Sequence, residues 1–398
     1  MTTSGLSKHG LTQLDEVLTR HIEGGRVDGA VWAVSRRGER HVSWAGHRNP
    51  DGDGAVGEDS IFRISSMTKP VTAVAALTLV EDCTLRLDEP VDDLLPELAD
   101  RQVLRRADGP IDDTVPAHRA ITLRDLLTFR LGWGMDFSFP EHHTALEALA
   151  ERAVAPGPPQ PQAHPPVDEF IAAFADVPLS YQPGERWLYH VGADLLGVLL
   201  QRAAGQPFAD VLRERVFEPL GMVDTAFSVP VDKMDRFGTC VGFDLSTGQP
   251  GVYDRPDGQW SRPPGFPSGG DGLVSTIGDY LAFAEMLRGG GVGRGGRVLS
   301  RPMVELMTTN HLTPEQRSNG PSPDGSVGWG FGVAIECRRT TALHLGSYGW
   351  DGGLGSCWRN DPLEDLTGVI LTTQMFSGPH MPEPVLDLFT AAYAAIDD

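Results

Sequence analysis

Two hydrophobic periodicities take turns along the chain. Over residues 11–23, Leu11, Leu14, Val17, Leu18 and Ile22 share one helical face, and Gly24-Gly25 ends the run. Two strand-like runs come next, 30–35 and 41–45, joined by a polar Arg-Arg-Gly-Glu turn. From 64 to 79 the pattern is helical again, but 71–80 is apolar nearly all round, which predicts a helix buried at the centre of the protein. Short helical patterns broken by polar residues fill 85–130, and longer ones return at 168–175, 192–203 and 277–287. Stretches 155–166 and 251–270 are Gly/Pro-rich loops. Near the end, 330–336, 341–345, 355–359 and 366–373 read as strands, and 384–396 as a closing amphipathic helix.

This order predicts an α+β fold: an antiparallel β-sheet flanked by helices, with an all-helical domain inserted into it. Residues 1–80 and 265–398 would build the sheet domain from both chain ends, and 81–264 the mainly helical one. A chain of 398 residues buries enough surface to fold without metal or disulfide staples. Its acidic excess, 54 against 33, leaves a net charge of −21, a field that repels phosphate backbones and anionic lipid. Neither a nucleic-acid nor a membrane partner is expected. The longest apolar stretch is about half of a bilayer span. Residues 1–10 show no basic segment leading into an apolar one. Cys83, Cys240, Cys337 and Cys357 stand far apart without a CxxC, as reduced and mostly buried thiols of a cytoplasmic protein do. His142-His143 has no zinc-site spacing, and the glycines of 289–296 lack the ending of a phosphate loop, so no metal and no cofactor is expected. No serine sits in a GxSxG elbow.

Chemistry concentrates at one of only three lysines. Lys69 stands three residues after Ser66, and positions i and i+3 are neighbours on a helix surface. A helix start also offers free N–H groups and partial positive charge to a developing oxyanion. Pro70 conflicts with helical geometry at Lys69. A serine hydroxyl needs a base before it attacks, and a lysine serves once burial pulls its pKa toward neutrality. Read alone, the pair fits equally well an N-cap serine followed by a solvated first-turn cation. Tyr189 comes after the Pro183-Gly184 turn at the entry of the next long helix. It could share the proton of Lys69, or simply pack or cap.

Three segments together carry a resemblance. Ser66-Met67-Thr68-Lys69, Tyr189-His190-Val191 and Trp350-Asp351-Gly352 resemble the SxxK, YxN and KTG/HxG triplet of the penicillin-recognising serine hydrolases. Their spacing is similar to that of the class C β-lactamase branch, with its family VIII carboxylesterases, D-aminopeptidases and acyltransferases. Flanking stretches 122–134, 181–197, 267–287 and 349–362 resemble the same branch. The resemblance implies an active site between the two domains. Ser66 would be the acylated nucleophile, Lys69 and Tyr189 the proton-transfer pair. The backbone N–H groups of Ser66 and Gly353 would form an oxyanion hole, worth about 2.7–4 kcal/mol per donor. Glycines at 352 and 353 would let a substrate carbonyl approach that backbone closely.

Two departures redirect the substrate. Val191 replaces the amide of YxN, and Trp350 replaces the cation that would grip a substrate carboxylate. With Trp133, Phe137 and Phe139, Trp350 would wall an apolar pocket beside Asp351 and Gly352, unless it merely packs in the core. The expectation is a serine carboxylesterase for small neutral or hydrophobic esters, with at most weak β-lactamase activity. A β-lactamase, D-amino-acid amidase, peptidase or acyltransferase keeps the same chemistry. A non-catalytic binding protein is the alternative of another class.

Overall fold

A computed structural model describes residues 5–137, 143–244, 246–322, 324–378 and 381–398. Seven strands form its main sheet: β1 (Gly29–Arg36), β2 (Glu39–Gly46), β3 (Val327–Trp329), β4 (Ala334–Glu336), β5 (Tyr348–Gly352), β6 (Ser356–Asp361) and β7 (Leu366–Thr372). The longest helices among the described residues are α1 (Lys8–Glu23), α2 (Thr68–Glu81), α3 (Val191–Ala204), α4 (Ile277–Arg288) and α5 (Glu383–Ala394). The strands run in the order β3-β4-β5-β6-β7-β1-β2, every neighbour antiparallel. β1 pairs with β7, Val31 opposite Leu371, so the two ends of the chain build one sheet.

β1 is buried along its whole length because both faces of the sheet are covered. Ala30, Trp32 and Val34 point to one side, into a core shared with Leu14 and Leu18 of α1 and Leu388 of α5. Val31 and Ala33 point to the other, into the large core with Val71, Val74 and Leu77 of α2 and Leu281 of α4. Each valine or leucine among them contributes about 1.5–3 kcal/mol by leaving water. In α2 every residue from Thr68 to Leu79 is buried, which is why its sequence has no polar face.

Three details differ from the pattern reading. Only the end of the run 330–336 is a strand, β4; β3 lies just before it, and residues 330–333 form the turn between them, in which the Gly330 N–H reaches Val333 O at 2.8 Å. Gly332 adopts φ +71° there, and a Cβ would sit 3.0 Å from Lys69 O on α2, so both the turn and the close approach call for glycine. Residues 341–345 form no strand, and Leu345 is exposed; the strand comes just after, as β5. The segment between the sheet-forming ends is mainly helical but adds two ribbons, Gln102–Leu104 with Thr114–Pro116 and Cys240–Phe243 with Pro250–Asp254. All four cysteines are free, Cys240 and Cys357 buried, Cys337 half-buried and Cys83 exposed. Among the described residues, no helix is long and apolar enough to cross a membrane.

Candidate active site

The SxxK segment does not start as an α-helix. Ser65–Met67 is a 3₁₀ turn, and α2 takes over at Thr68. Pro70 is therefore the third residue of α2, where an N–H would have no partner within the helix, and the sequence conflict disappears. Ser65 sits at φ +46°, a strained value for a residue with a Cβ. Its neighbours hold it there. The Ile64 N–H bonds Leu273 O at 3.1 Å, Ile64 O accepts from Ser356 Oγ at 2.9 Å, and Met67 O accepts from the Tyr280 hydroxyl at 3.0 Å. Gly352 of β5 lies flat against the same carbonyl, since a Cβ on it would fall 2.2 Å from Ile64 O. This contact ties the strand to the turn that carries Ser66.

Ser66 is half-buried at the head of α2, and the Lys69 side chain behind it is 1% exposed. Lys69 Nζ lies 3.0 Å from Ser66 Oγ, 2.7 Å from Gly270 O and 3.2 Å from His190 Nδ1. It also stands over the Tyr189 ring, 4.5 Å from its centroid. Burial lowers its pKa to about 8, against the opposing pull of the Asp271 and Asp194 charges.

Tyr189 is fixed by its backbone. It exchanges two hydrogen bonds with Met135, at 2.8 and 2.9 Å, and Gly134 allows that approach because a Cβ would sit 2.6 Å from Tyr189 O. The chain then reverses through a γ-turn: His190 has φ +88° and ψ −64°, and the Val191 N–H reaches Tyr189 O at 3.3 Å. α3 begins at once. The Tyr189 hydroxyl accepts from Trp350 Nε1 at 2.8 Å and shares a further hydrogen bond with Ser66. Burial drives the phenol far above its ordinary pKa, against both hydrogen bonds, so it stays protonated at neutral pH. Phe129, Phe137, Trp187, Trp329 and Trp350 pack around the ring.

Ser66, Lys69, Tyr189, Phe137 and Trp350 thus converge; Gly353, just past the end of β5, is exposed, with open space where a side chain would stand. Other expected residues do not converge. Trp133 is fully buried against Phe174, its indole N–H on Pro178 O at 2.8 Å. Val191 is buried in the core at the first turn of α3. Asp351 spends its carboxylate on a two-pronged ion pair with Arg359, at 2.7 and 2.8 Å. Phe139 and His142 lie outside the described residues.

Sequence reasoning missed His190, Asp194 and Asp271. His190 Nε2 is 3.1 Å from Asp194 Oδ2 and 3.7 Å from Asp271 Oδ2, and all three are buried. Burial pushes the Asp194 carboxyl up, but His190 and Ser268 hold it lower still, at about 2. The only local signal was the i,i+4 spacing of His190 and Asp194 at a helix start.

The Beta-lactamase family model matches residues 14–392. Protein Rv1367c of Mycobacterium tuberculosis is 36% identical, covering 86% of this chain and 85% of its own. Esterase EstB of Burkholderia gladioli is 28% identical, covering 96% and 95%. In three dimensions, EstCE1, described as a hydrolase with promiscuous acyltransferase activity, superposes with a TM-score of 0.79 at 24% identity, over 97% of this chain and 99% of that one. The chain belongs to the Beta-lactamase family and has its fold, that of serine hydrolases.

Proposed function

We propose that this member of the Beta-lactamase family is a serine carboxylesterase that cleaves small, neutral or hydrophobic esters through an acyl-enzyme on Ser66. One observation carries the reading: a buried amine with a lowered pKa stands 3.0 Å from a half-buried serine hydroxyl. Neutral Lys69 takes the Ser66 proton as Oγ bonds the ester carbonyl carbon. The Ser66 and Gly353 N–H groups receive the negative oxygen. As the tetrahedral intermediate collapses, the C–O bond to the alcohol breaks and the alkoxide takes a proton from Tyr189, which recovers it from Lys69. Water then repeats the sequence on the acyl-enzyme, giving its proton to the same pair and releasing the acid.

The preference for neutral esters rests on Trp350. Its indole donates to Tyr189, at the position where a lysine or histidine would receive a substrate carboxylate. The neighbouring cation, Arg359, is taken up by Asp351. The name of the EstB relative supports ester cleavage itself. Turnover of p-nitrophenyl butyrate beside nitrocefin tests the proposal. Ester turnover should dominate, and Ser66→Ala should abolish it without shifting the thermal midpoint. Equal turnover of nitrocefin would remove Trp350 from its role; an active Ser66→Ala would remove the serine.

A further inference from the structure

Lys69 can take a proton from Ser66 only with its lone pair, so where its hydrogens point decides whether it is a base at all. A neutral amine has two N–H bonds and one lone pair, and three groups compete for them. Gly270 O, at 2.7 Å, has no hydrogen and must receive one N–H. Ser66 Oγ and His190 Nδ1 remain, at 3.0 and 3.2 Å. Which of them faces the lone pair depends on the histidine tautomer.

The histidine is not free to choose. Its other nitrogen, Nε2, faces only carboxylate oxygens, Asp194 Oδ2 at 3.1 Å and Asp271 Oδ2 at 3.7 Å. An ionised carboxylate accepts and cannot donate, so a neutral ring carries its proton on Nε2 and leaves Nδ1 bare. Asp194 is fixed in turn: its Oδ1 accepts from Ser268 Oγ at 2.6 Å and from the Gly270 N–H at 3.1 Å. The strained γ-turn at residue 190 places the ring between α2 and the 268–271 loop.

We propose that His190 is a positioning residue: its bare Nδ1, fixed by the Asp194 contact at Nε2, takes the second N–H of neutral Lys69 and so turns the lone pair onto Ser66. The inference rests on the reading of Ser66 as the nucleophile. A doubly protonated His190 would donate from Nδ1, draw the lone pair to itself and leave Ser66 without a base. His190 and Asp271 also line a cavity of about 240 Å³ beneath the loop that holds Pro156, Gln160 and His164. The titratable groups around this pair are Lys69, Tyr189, Asp194 and Asp271, with His164 acting on Asp194 from the loop.

The test measures covalent labelling of Ser66 by an alkyl fluorophosphonate, read by intact mass from pH 5 to 10, beside ester turnover. In that step Oγ bonds phosphorus, fluoride leaves, and the Ser66 proton goes to Lys69. His190→Leu should slow labelling about 100-fold. His190→Asn offers an oxygen near Nδ1 and should stay within about fivefold of the natural chain. Asp194→Asn removes a charge that favours protonated Lys69, so the acid limb should move down by about one pH unit while the plateau falls about tenfold. The limb reads the Asp194 charge at Lys69, whereas the plateau reads the hold on His190 Nε2, which a merely structural histidine would leave unchanged. Labelling of His190→Leu within threefold of the natural chain, or an Asp194→Asn plateau that stays in place, would overturn the proposal. Should His190→Leu fail to fold, Asp194→Asn decides by its plateau. A natural chain that resists the phosphonate ends both proposals, whereas labelling indifferent to His190 ends only this one.

Discussion

Two cations, the buried Lys69 beside Tyr189 and the half-buried Arg359 beside Asp351, are treated by the protein in opposite ways. Arg359 meets Asp351 directly through two parallel hydrogen bonds, which hold the guanidinium charged and raise its pKa despite burial. Lys69 contacts a hydroxyl, a carbonyl and an imidazole, while Asp194 and Asp271 stand one side chain further back, behind His190. Its pKa falls to about 8. Burial alone therefore does not make a base. What matters is how far the nearest carboxylate is kept from the cation, and His190 is the spacer that sets this distance for Lys69.

Converting one cation into the other's state breaks the comparison most sharply. Lys69→Arg keeps the charge and gives the site a group that cannot be deprotonated at any working pH. Ester turnover should fall by about 10³-fold or more, the scale of a lost general base. Lys69→Met, which removes the charge, should be as inactive; any activity surviving in the arginine variant would show that Lys69 is not the base. The reverse experiment strips Arg359 of its partner. Asp351→Asn leaves a charge uncompensated in a largely buried site and should cost about 3 kcal/mol of stability, measured by urea unfolding. An unchanged denaturation midpoint would mean that the pair is solvated.

The pH profile sharpens the same contrast without mutation. Lys69 accepts a proton only when neutral, and its pKa is about 8. Below that value each unit of pH should lower kcat/KM tenfold, to about 100-fold at pH 6, with a plateau above 8. Tyr189, held protonated by burial, adds no limb in this range. A profile flat from pH 6 to 9 would contradict the assignment.

The two regions also differ in how legible they were. The Ser66 turn announced itself, because a lone lysine three residues after a serine and a helix with no polar face are both rare patterns with a physical cause. β5 was not visible as a strand in the hydrophobic pattern; only the resemblance of 349–362 to the strand that carries the third motif pointed to it. Gly349, Asp351 and Gly352 are turn formers, and they lie in a strand because β6 and the Ile64 carbonyl demand it: a Cβ on Gly349 would sit 2.0 Å from Trp358 O. Trp133 read as a pocket wall because it comes after a helix on a Gly-rich turn, yet Pro178 O gives its indole a partner inside the core. His190 and Asp271 are eighty-one positions apart, and nothing in a linear pattern brings them together. Tertiary contacts overrode local preference at each of these places.

The smallest expected effect separates the two roles of Trp350. Trp350→Phe keeps an apolar ring against Trp329 and Tyr189 but deletes the N–H that Tyr189 receives at 2.8 Å. A buried phenol that loses one neutral hydrogen bond costs about 1 kcal/mol, roughly a fivefold change in rate. If the indole fixes the phenol so that its hydrogen points at Ser66, kcat should fall about fivefold while KM for a butyrate ester holds. If Trp350 is mainly a wall, KM rises and kcat stays. A variant unchanged in both would place the indole outside the reaction, and the stretch from Tyr348 to Gly352 would then serve the site through the Gly352–Ile64 contact alone.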